Sequence, residues 1–372
     1  MKPRILFILT LPPPVHGASM VGKRIKDSRI IGDAFECDFV NLSTSRHLEE
    51  VGRGSPMKPI RFLVAYLSTF WKLLTRRYDL CYLAITCYGP AFLKDAPFVL
   101  LCKMFKRQVV IHQHNKGMSA CVDCSPYKRL LPKVYGGAKV ILLSWRLYPD
   151  ISKVVDKKDV LICPNGVMCP EVRILGDTED SIPHILFLSN LLESKGVLVL
   201  LDALDLLKKA GLSFICDIVG SETKAIDAQR LQSEIVRRCL NDSVIYHGLK
   251  TGSGKDQLFD SASLFVLPTF YNCECFPLVL LEAMAHGLPV VTTDEGGILD
   301  MVSEGENGLI CKQRDEVSLA ECIKKLLTDK VLRNQMGRRG REIYLERFTQ
   351  ETFEKRMAGI LQSVIEQGRA SV

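Results

Sequence analysis

The stretch ECFPLVLLEAMAHGLPVV, from Glu274 to Val291, decides how this chain is read. Its end is a helix stop, because Gly287 suits the left-handed position just past a helix and Pro289 cannot continue one. Its start is equally legible. Pro277 fits a first-turn position, and Leu278 to Ala285 are good helix formers. A helix over 278–285 followed at once by the apolar run PVV is a helix leading into a buried strand. Glu274 then precedes the helix and Glu282 lies inside it, on otherwise apolar turns. A buried carboxylate without a partner is costly, so Glu282 either reaches solvent or meets a hydrogen-bond donor.

Outward from this helix, short strand-like runs recur. ILFLS at 185, FICDIVG at 214, SVIYHG at 243, LFVLP at 264 and LPVVTT at 288 form one series, and ENGLI reads as a turn before a further strand. An earlier series consists of ILFIL at 5, DLCYLAI at 79, VVIHQH at 109 and KVILLS at 139. Helical patterns or longer connections separate the runs. This alternation predicts βα units and parallel sheets covered on both faces, hence an α/β chain of two doubly wound domains. The charged, turn-rich interval RILGDTEDSIPH places the linker near 165–183. After it, Leu200, Leu201, Leu204 and Leu207 fall at helical spacing and Gly211 closes that helix. TQETFEKRMAGILQSVIEQ reads as a last amphipathic helix, with Thr349 and Thr352 as candidate caps.

At 372 residues with 47% hydrophobic and 24% charged side chains, the chain can bury two cores and is not a disordered sequence. Its apolar runs fall short of the roughly 20 residues a membrane-spanning helix needs. ILFILTL behind Lys2 and Arg4 imitates a secretory leader but runs into PPP without a small-residue cleavage site, so a buried first strand is expected. Fourteen cysteines, many inside apolar strands, point to reduced thiols in a cytoplasmic protein. Cys121 and Cys124 form one CxxC with His112 and His114 upstream. No second CxxC follows, and free thiols are expected there rather than a metal. Residues 1–180 hold 27 Lys plus Arg against 16 Asp plus Glu, a net +11, and the remainder is mildly acidic. A basic half suits anionic lipid or a phosphorylated substrate. It lacks the interleaved aromatic and basic pattern of RNA binding, so no nucleic-acid partner is expected.

Open parallel sheets bind ligands beyond the carboxyl ends of their strands, which directs attention to strand-end loops. In LPPPVHGASM, Gly17 allows close backbone approach at a helix start, where unpaired N–H groups favour an anion; an ordinary βα turn is the alternative. In ILFLSNLLESKGV, Asn190 follows the strand and Lys195 stands at the next helix start. A cation is unfavourable there unless an anionic ligand neutralises it or water solvates it. Gly296 and Gly297 form another strand-end loop. His112 and His114 alternate along VVIHQH, so the pleat predicts that they point to opposite faces, one internal and one toward ligand.

Taken together, ECFPLVLLEAMAHGLPVVTTDEGGILDMVSEGENGLI, VLICPNGV, FLSNLLESKGV, DIVGSE and PPPVHG resemble the retaining glycosyltransferases of family 4 over nearly the whole chain. The resemblance implies the GT-B fold, two Rossmann-like domains with a nucleotide-sugar cleft between them. The N-terminal, acceptor-side domain would be 1–168 completed by a C-terminal helix at 347–372, and the donor-binding domain 169–346. The paired glutamates of the family correspond to Glu274, facing the donor sugar, and Glu282, binding the ribose hydroxyls. Lys195 resembles the diphosphate lysine and His114 the histidine near the sugar, with His112 in reserve. Phe276, Pro277, Leu278 and Val279 would meet the donor at the helix start. Asn190 stands where many relatives carry arginine, and His16 stands beside Gly17 where a second glycine is common. No Asp-x-Asp occurs, so no metal and no cofactor is expected beyond the donor itself, a UDP- or GDP-sugar.

The expected activity is transfer of a sugar from that donor to a surface-glycan or lipid-linked saccharide acceptor. A GT-B epimerase or phosphorylase, or a noncatalytic subunit that binds sugar nucleotides, are the competing readings. PIRFLVAYLSTFWKLLTRRYDL is either a core helix with a basic end or an interfacial helix, making peripheral contact with the inner face of a membrane.

Overall fold

The computed structural model of the chain describes residues 2–13, 17–43, 57–168, 170 and 182–370. The chain divides into two compact units, Met1–Gly166 with Gln350–Val372 as unit 1 and Val167–Thr349 as unit 2. Most of the charged interval read as a linker, and His16, lie outside the described residues.

Unit 1 runs β1 (Arg4–Leu9), α1 (Gly17–Asp27), α2 (Arg29–Ala34), β2 (Glu36–Asn41), α3 (Met57–Thr75), β3 (Leu80–Ile85), α4 (Gly89–Met104), β4 (Gln108–Gln113), α5 (Tyr127–Tyr135), β5 (Lys139–Leu142), α6 (Tyr148–Ile151) and β6 (Val160–Ile162). Its six strands lie in the order β2-β1-β3-β4-β5-β6, every pair parallel. Ile5 to Leu9 are wholly buried, as a strand covered on both faces requires. The edge strands β2 and β6 escape the sequence series because ECDFVN is half polar and VLI is too short to stand out.

Unit 2 runs β7 (His184–Leu188), α7 (Val197–Lys209), β8 (Ile215–Val219), α8 (Ala228–Arg237), β9 (Val244–Tyr246), α9 (Ser253–Ser261), β10 (Leu264–Leu267), α10 (Leu278–Ala285), β11 (Val290–Thr292), β12 (Gly308–Ile310), α11 (Glu316–Thr328) and α12 (Lys330–Arg347). The strand order is β12-β11-β10-β7-β8-β9, again all parallel. The order reverses between β7 and β10, so the loops leaving those two strands diverge to opposite faces and open a crevice at their carboxyl ends. The four leucines expected on one helical face of α7 are all buried.

The last helix, α13 (Gln350–Ala370), belongs to unit 1. It buries Phe353, Met357, Leu361, Val364 and Ile365. Ser28, which caps α2 by accepting from the Ile31 amide, donates its own hydroxyl to Glu354 at 2.6 Å. Gln108 donates to the Val364 carbonyl at 2.8 Å, and Arg369 pairs with Asp79 at 2.8 Å.

Candidate functional site

In unit 2 the strand-end loops converge on Lys195. A short 3-10 turn, Glu193–Lys195, follows β7 and ends at Gly196, whose φ of +84° is left-handed. A Cβ at Gly196 would lie 2.2 Å from the Pro268 carbonyl oxygen, so this turn can press against the end of β10 only with glycine. The Phe270 amide donates to the Ser194 carbonyl at 2.8 Å, clasping the loop after β10 to the same turn. The result places the Lys195 ammonium in a salt bridge with Glu274 and 4.9 Å above the Tyr271 ring. Both charged side chains are largely covered, 16% exposed for Lys195 and 9% for Glu274. Burial, and then the neighbouring Cys273, push the Tyr271 phenol up to about 12, so it carries its proton at neutral pH. In the chain by itself the Lys195 charge is met by the Glu274 carboxylate rather than by the anionic ligand expected from sequence.

The Gly296–Gly297 loop after β11 fixes the backbone of Glu274. Gly296 has φ +60°, and a Cβ there would stand 2.3 Å from the Glu274 carbonyl oxygen. The Gly297 amide donates to the Cys275 carbonyl at 2.7 Å. The strand-end loop read from sequence makes its close approach to the backbone that carries the carboxylate.

Helix α10 has the bounds read from sequence, with Pro277 at the N-cap position just outside rather than in the first turn. Pro277 supplies no side-chain cap, so the helix opens with its positive end uncapped by a side chain. The Phe276 ring is buried, 5.8 Å from that of Phe348, and holds the Glu274–Pro277 segment in place by packing. Leu278 and Val279 form the first turn and are partly accessible. Glu282, about one turn on, accepts a hydrogen bond from Lys255 of α9 at 2.9 Å, both side chains about a quarter exposed. Glu282 thus both reaches solvent and meets a donor, Lys255, and neither Lys255 nor Tyr271 was singled out in the sequence. Lys255 precedes Phe259 by one helical turn and lies 6.0 Å over its ring, a pattern too common to mark a site. Asn190 is exposed at the end of β7 and brings no charge.

In unit 1, Gly17 is the exposed first residue of α1, and a Cβ added to it would meet nothing within 4 Å. The close backbone approach is made instead by Gly22, whose Cβ would meet the Thr10 carbonyl oxygen at 2.2 Å. His112 is fully buried, its Nδ1 2.6 Å from the Tyr82 hydroxyl. Burial, with the nearby His114, pushes its pKa well below the usual range, so it is neutral. The expectation that the two histidines point to opposite faces fails: their rings lie 4.0 Å apart, centroid to centroid. Strand β4 ends at Gln113, so His114 has left the pleat and its side chain folds back over His112. His114 is half-buried at the carboxyl end of β4, and His112 belongs to the core.

Residues 177–343 match the family described as Glycosyl transferases group 1. The amylovoran biosynthesis glycosyltransferase AmsK of Erwinia amylovora is 32% identical over 227 residues, 59% of this chain and 55% of AmsK. The capsular polysaccharide biosynthesis glycosyltransferase CapM of Staphylococcus aureus is 29% identical over 167 residues, 44% of this chain and 42% of CapM. The chain spans about half the length of the curated relatives it matches. Among solved structures, Anabaena HepE in complex with UDP-glucose superposes with a TM-score of 0.74 at 18% identity, covering 97% of this chain and 99% of HepE. Sucrose-phosphate synthase from Thermosynechococcus elongatus gives 0.77 at 17% identity, covering 98% and 100%. The fold is GT-B, and the segment 177–343, within unit 2, is similar to the glycosyl transferases group 1.

Proposed function

We propose that the chain is a retaining glycosyltransferase that moves a sugar from a nucleotide-diphosphate sugar to a surface-glycan or lipid-linked saccharide acceptor, with unit 2 as the donor side and unit 1 as the acceptor side. The observation that carries this reading is the covered Lys195–Glu274 pair beside the α10 start, at the point where the unit 2 strand order reverses. A cation, an uncapped helix end and a proton-bearing phenol converging on one crevice suit a diphosphate. The names of AmsK and CapM support a polysaccharide acceptor, and the HepE complex supports uridine as the base.

In this reading Lys195 turns from Glu274 toward the diphosphate and, with the α10 amides of Leu278 and Val279, stabilises the charge that grows as the bond from the anomeric carbon to the diphosphate oxygen breaks. Gly17 at the α1 start is the unit 1 glycine that the resemblance assigns to the diphosphate. Glu282, steadied by Lys255, holds the ribose hydroxyls, and Glu274 then takes the hydroxyls of the sugar. His114 is the unit 1 residue that the resemblance assigns to the sugar. The acceptor oxygen bonds to the anomeric carbon on the face the diphosphate leaves, and its proton passes to the departing diphosphate oxygen. No step is assigned to a metal, so transfer is expected to continue after dialysis against EDTA. The described cysteines are free thiols, which suits the reducing cytoplasm, and a lipid-linked acceptor would be met at the inner face of a membrane.

The test is a titration with UDP, GDP, ADP and UDP-glucose followed by thermal unfolding. A true ligand at a hundred times its Kd stabilises by about 2.7 kcal/mol. UDP and UDP-glucose should raise the melting temperature of the wild type, and that of Glu282→Ala by clearly less. No response to any nucleotide would refute the reading, and sugar release that requires inorganic phosphate but no acceptor would assign a phosphorylase instead.

A further inference from the structure

Sugar transfer leaves the outward face of α3 without a role. The helix packs inward through Phe62 and Tyr66, whose rings meet Phe98 of α4 edge-on at 5.5 and 5.6 Å, and it buries Thr69 and Leu73. On the opposite side Ile60, Leu63, Val64, Leu67, Trp71 and Leu74 are each between 53% and 64% exposed. At helical spacing these six fill a continuous arc of about 100°. A surface helix ordinarily turns charge to the water, and a contiguous stripe of large apolar side chains marks an interaction surface. Every charged residue of α3 is basic, namely Lys58, Arg61 and Lys72, and all three fall on one shoulder beside the stripe. Arg76 and Arg77 follow, with Asp38 neutralising part of the charge through Lys72 and Arg76.

We infer that α3 lies flat in the interface of a membrane containing anionic lipid. The helix is about 28 Å long at 1.5 Å per residue for its 19 residues, and the stripe from Ile60 to Leu74 takes up about 22 Å of it, enough for a helix lying along a bilayer surface to sink one face into it. The basic shoulder and the excess of positive charge in residues 1–180 complement anionic headgroups. Contact is peripheral, since no helix among the described residues is long and apolar enough to cross a membrane. Beside the stripe a groove of about 420 Å³, lined by Asn41, Ser43, Arg61 and Val64 among others, opens at the carboxyl end of β2. That is the ligand end of a parallel sheet, so the membrane would deliver an acceptor headgroup where unit 1 can take it. The inference rests on the lipid-linked branch of the acceptor reading for its purpose, but membrane binding itself is measured without donor or acceptor.

The full chain should sediment with vesicles of phosphatidylcholine and phosphatidylglycerol, much less with phosphatidylcholine alone, and less again at high salt. The chain has two tryptophans, so Trp145→Phe leaves Trp71 as the reporter. Its emission should shift to the blue and lose iodide quenching on the anionic vesicles. Leu63→Glu with Leu67→Glu, both at exposed positions, should lower partitioning by about tenfold or more, and Lys58→Gln with Arg61→Gln by roughly fivefold per residue. UDP affinity and the circular dichroism spectrum should be unchanged in both. Absence of binding to the anionic vesicles, or wild-type partitioning by the Leu63→Glu and Leu67→Glu variant, overturns the inference. So does a concentration-dependent dimer that this variant abolishes, which would make the stripe a contact between copies. A chain that binds vesicles yet transfers no sugar would refute the transferase reading and leave this one standing.

Discussion

Replacing Lys195 by methionine should destabilise the protein before any substrate is involved. The substitution keeps the length of the aliphatic stem and removes the charge, leaving a Glu274 carboxylate that is only 9% exposed. Breaking a buried ion pair by deleting one partner costs roughly 3–5 kcal/mol, because the survivor is left charged and unpaired. The small residual exposure lets water reach the carboxylate, which brings the expected loss to about 3 kcal/mol, or roughly 6–12 °C in melting temperature for a unit of this size. Glu274→Gln should cost less, since the Lys195 ammonium keeps the Tyr271 ring beneath it. The double variant, Lys195→Met with Glu274→Gln, holds no stranded charge, and its loss should fall short of the sum by about 1–3 kcal/mol. Scanning calorimetry on the four proteins gives the cycle directly. If Lys195→Met melts with the wild type, or the double variant loses the full sum, the pair is not the electrostatic unit described above. Neither stable variant should transfer sugar at the wild-type rate, which separates folding from function.

Glu282→Ala should weaken UDP binding by about ten- to a hundredfold, the worth of a hydrogen bond to a charged group, and Lys255→Met should weaken it by less, through loss of the carboxylate's orientation; calorimetric titration with wild-type affinity in both would remove the ribose assignment. Gly296→Ala forces a left-handed alanine, about 1–2 kcal/mol, against the Glu274 backbone, so urea unfolding should show a loss of more than about 2 kcal/mol, whereas Gly32→Ala, in open space on α2, should be neutral or stabilising. The neutral burial of His112 sets a pH dependence. The unfolded chain takes up a proton below about pH 6.5 that the folded chain refuses, so stability is complete above that pH and falls below it by up to about 1.4 kcal/mol per pH unit from this group. His112→Gln should flatten that slope in urea midpoints measured from neutral to mildly acidic pH, and an unchanged slope would place the acid sensitivity elsewhere.

Much of the fold was legible because its punctuation is local. The α10 bounds follow from Gly287 and Pro289, and the parallel sheets from apolar runs that need no partner to be recognised. The loop chemistry was only half legible. That Lys195 called for an anionic ligand or water, and Glu282 for solvent or a donor, could be argued from each residue alone, but Glu274 and Lys255 are brought to them by tertiary closure over 79 and 27 residues, which no local pattern records. The histidine pair misled for a related reason. Alternation holds only inside a strand, and β4 ends one residue before His114. The short polar edge strand β2 went unread because hydrophobic pattern was the signal used, and an edge strand needs less of it.

The return of α13 to unit 1 sets an order of assembly. Unit 2 is continuous from Val167 to Thr349 and leaves the ribosome whole, while the surface of unit 1 that receives Phe353, Met357 and Leu361 waits for it. At the usual 5–20 residues per second that wait lasts about ten to forty seconds. The first unit to be made is therefore the last to be finished, and through that interval it presents an uncovered apolar surface to chaperones. A change in α13 would be felt by a unit whose other elements were made some 183 residues earlier.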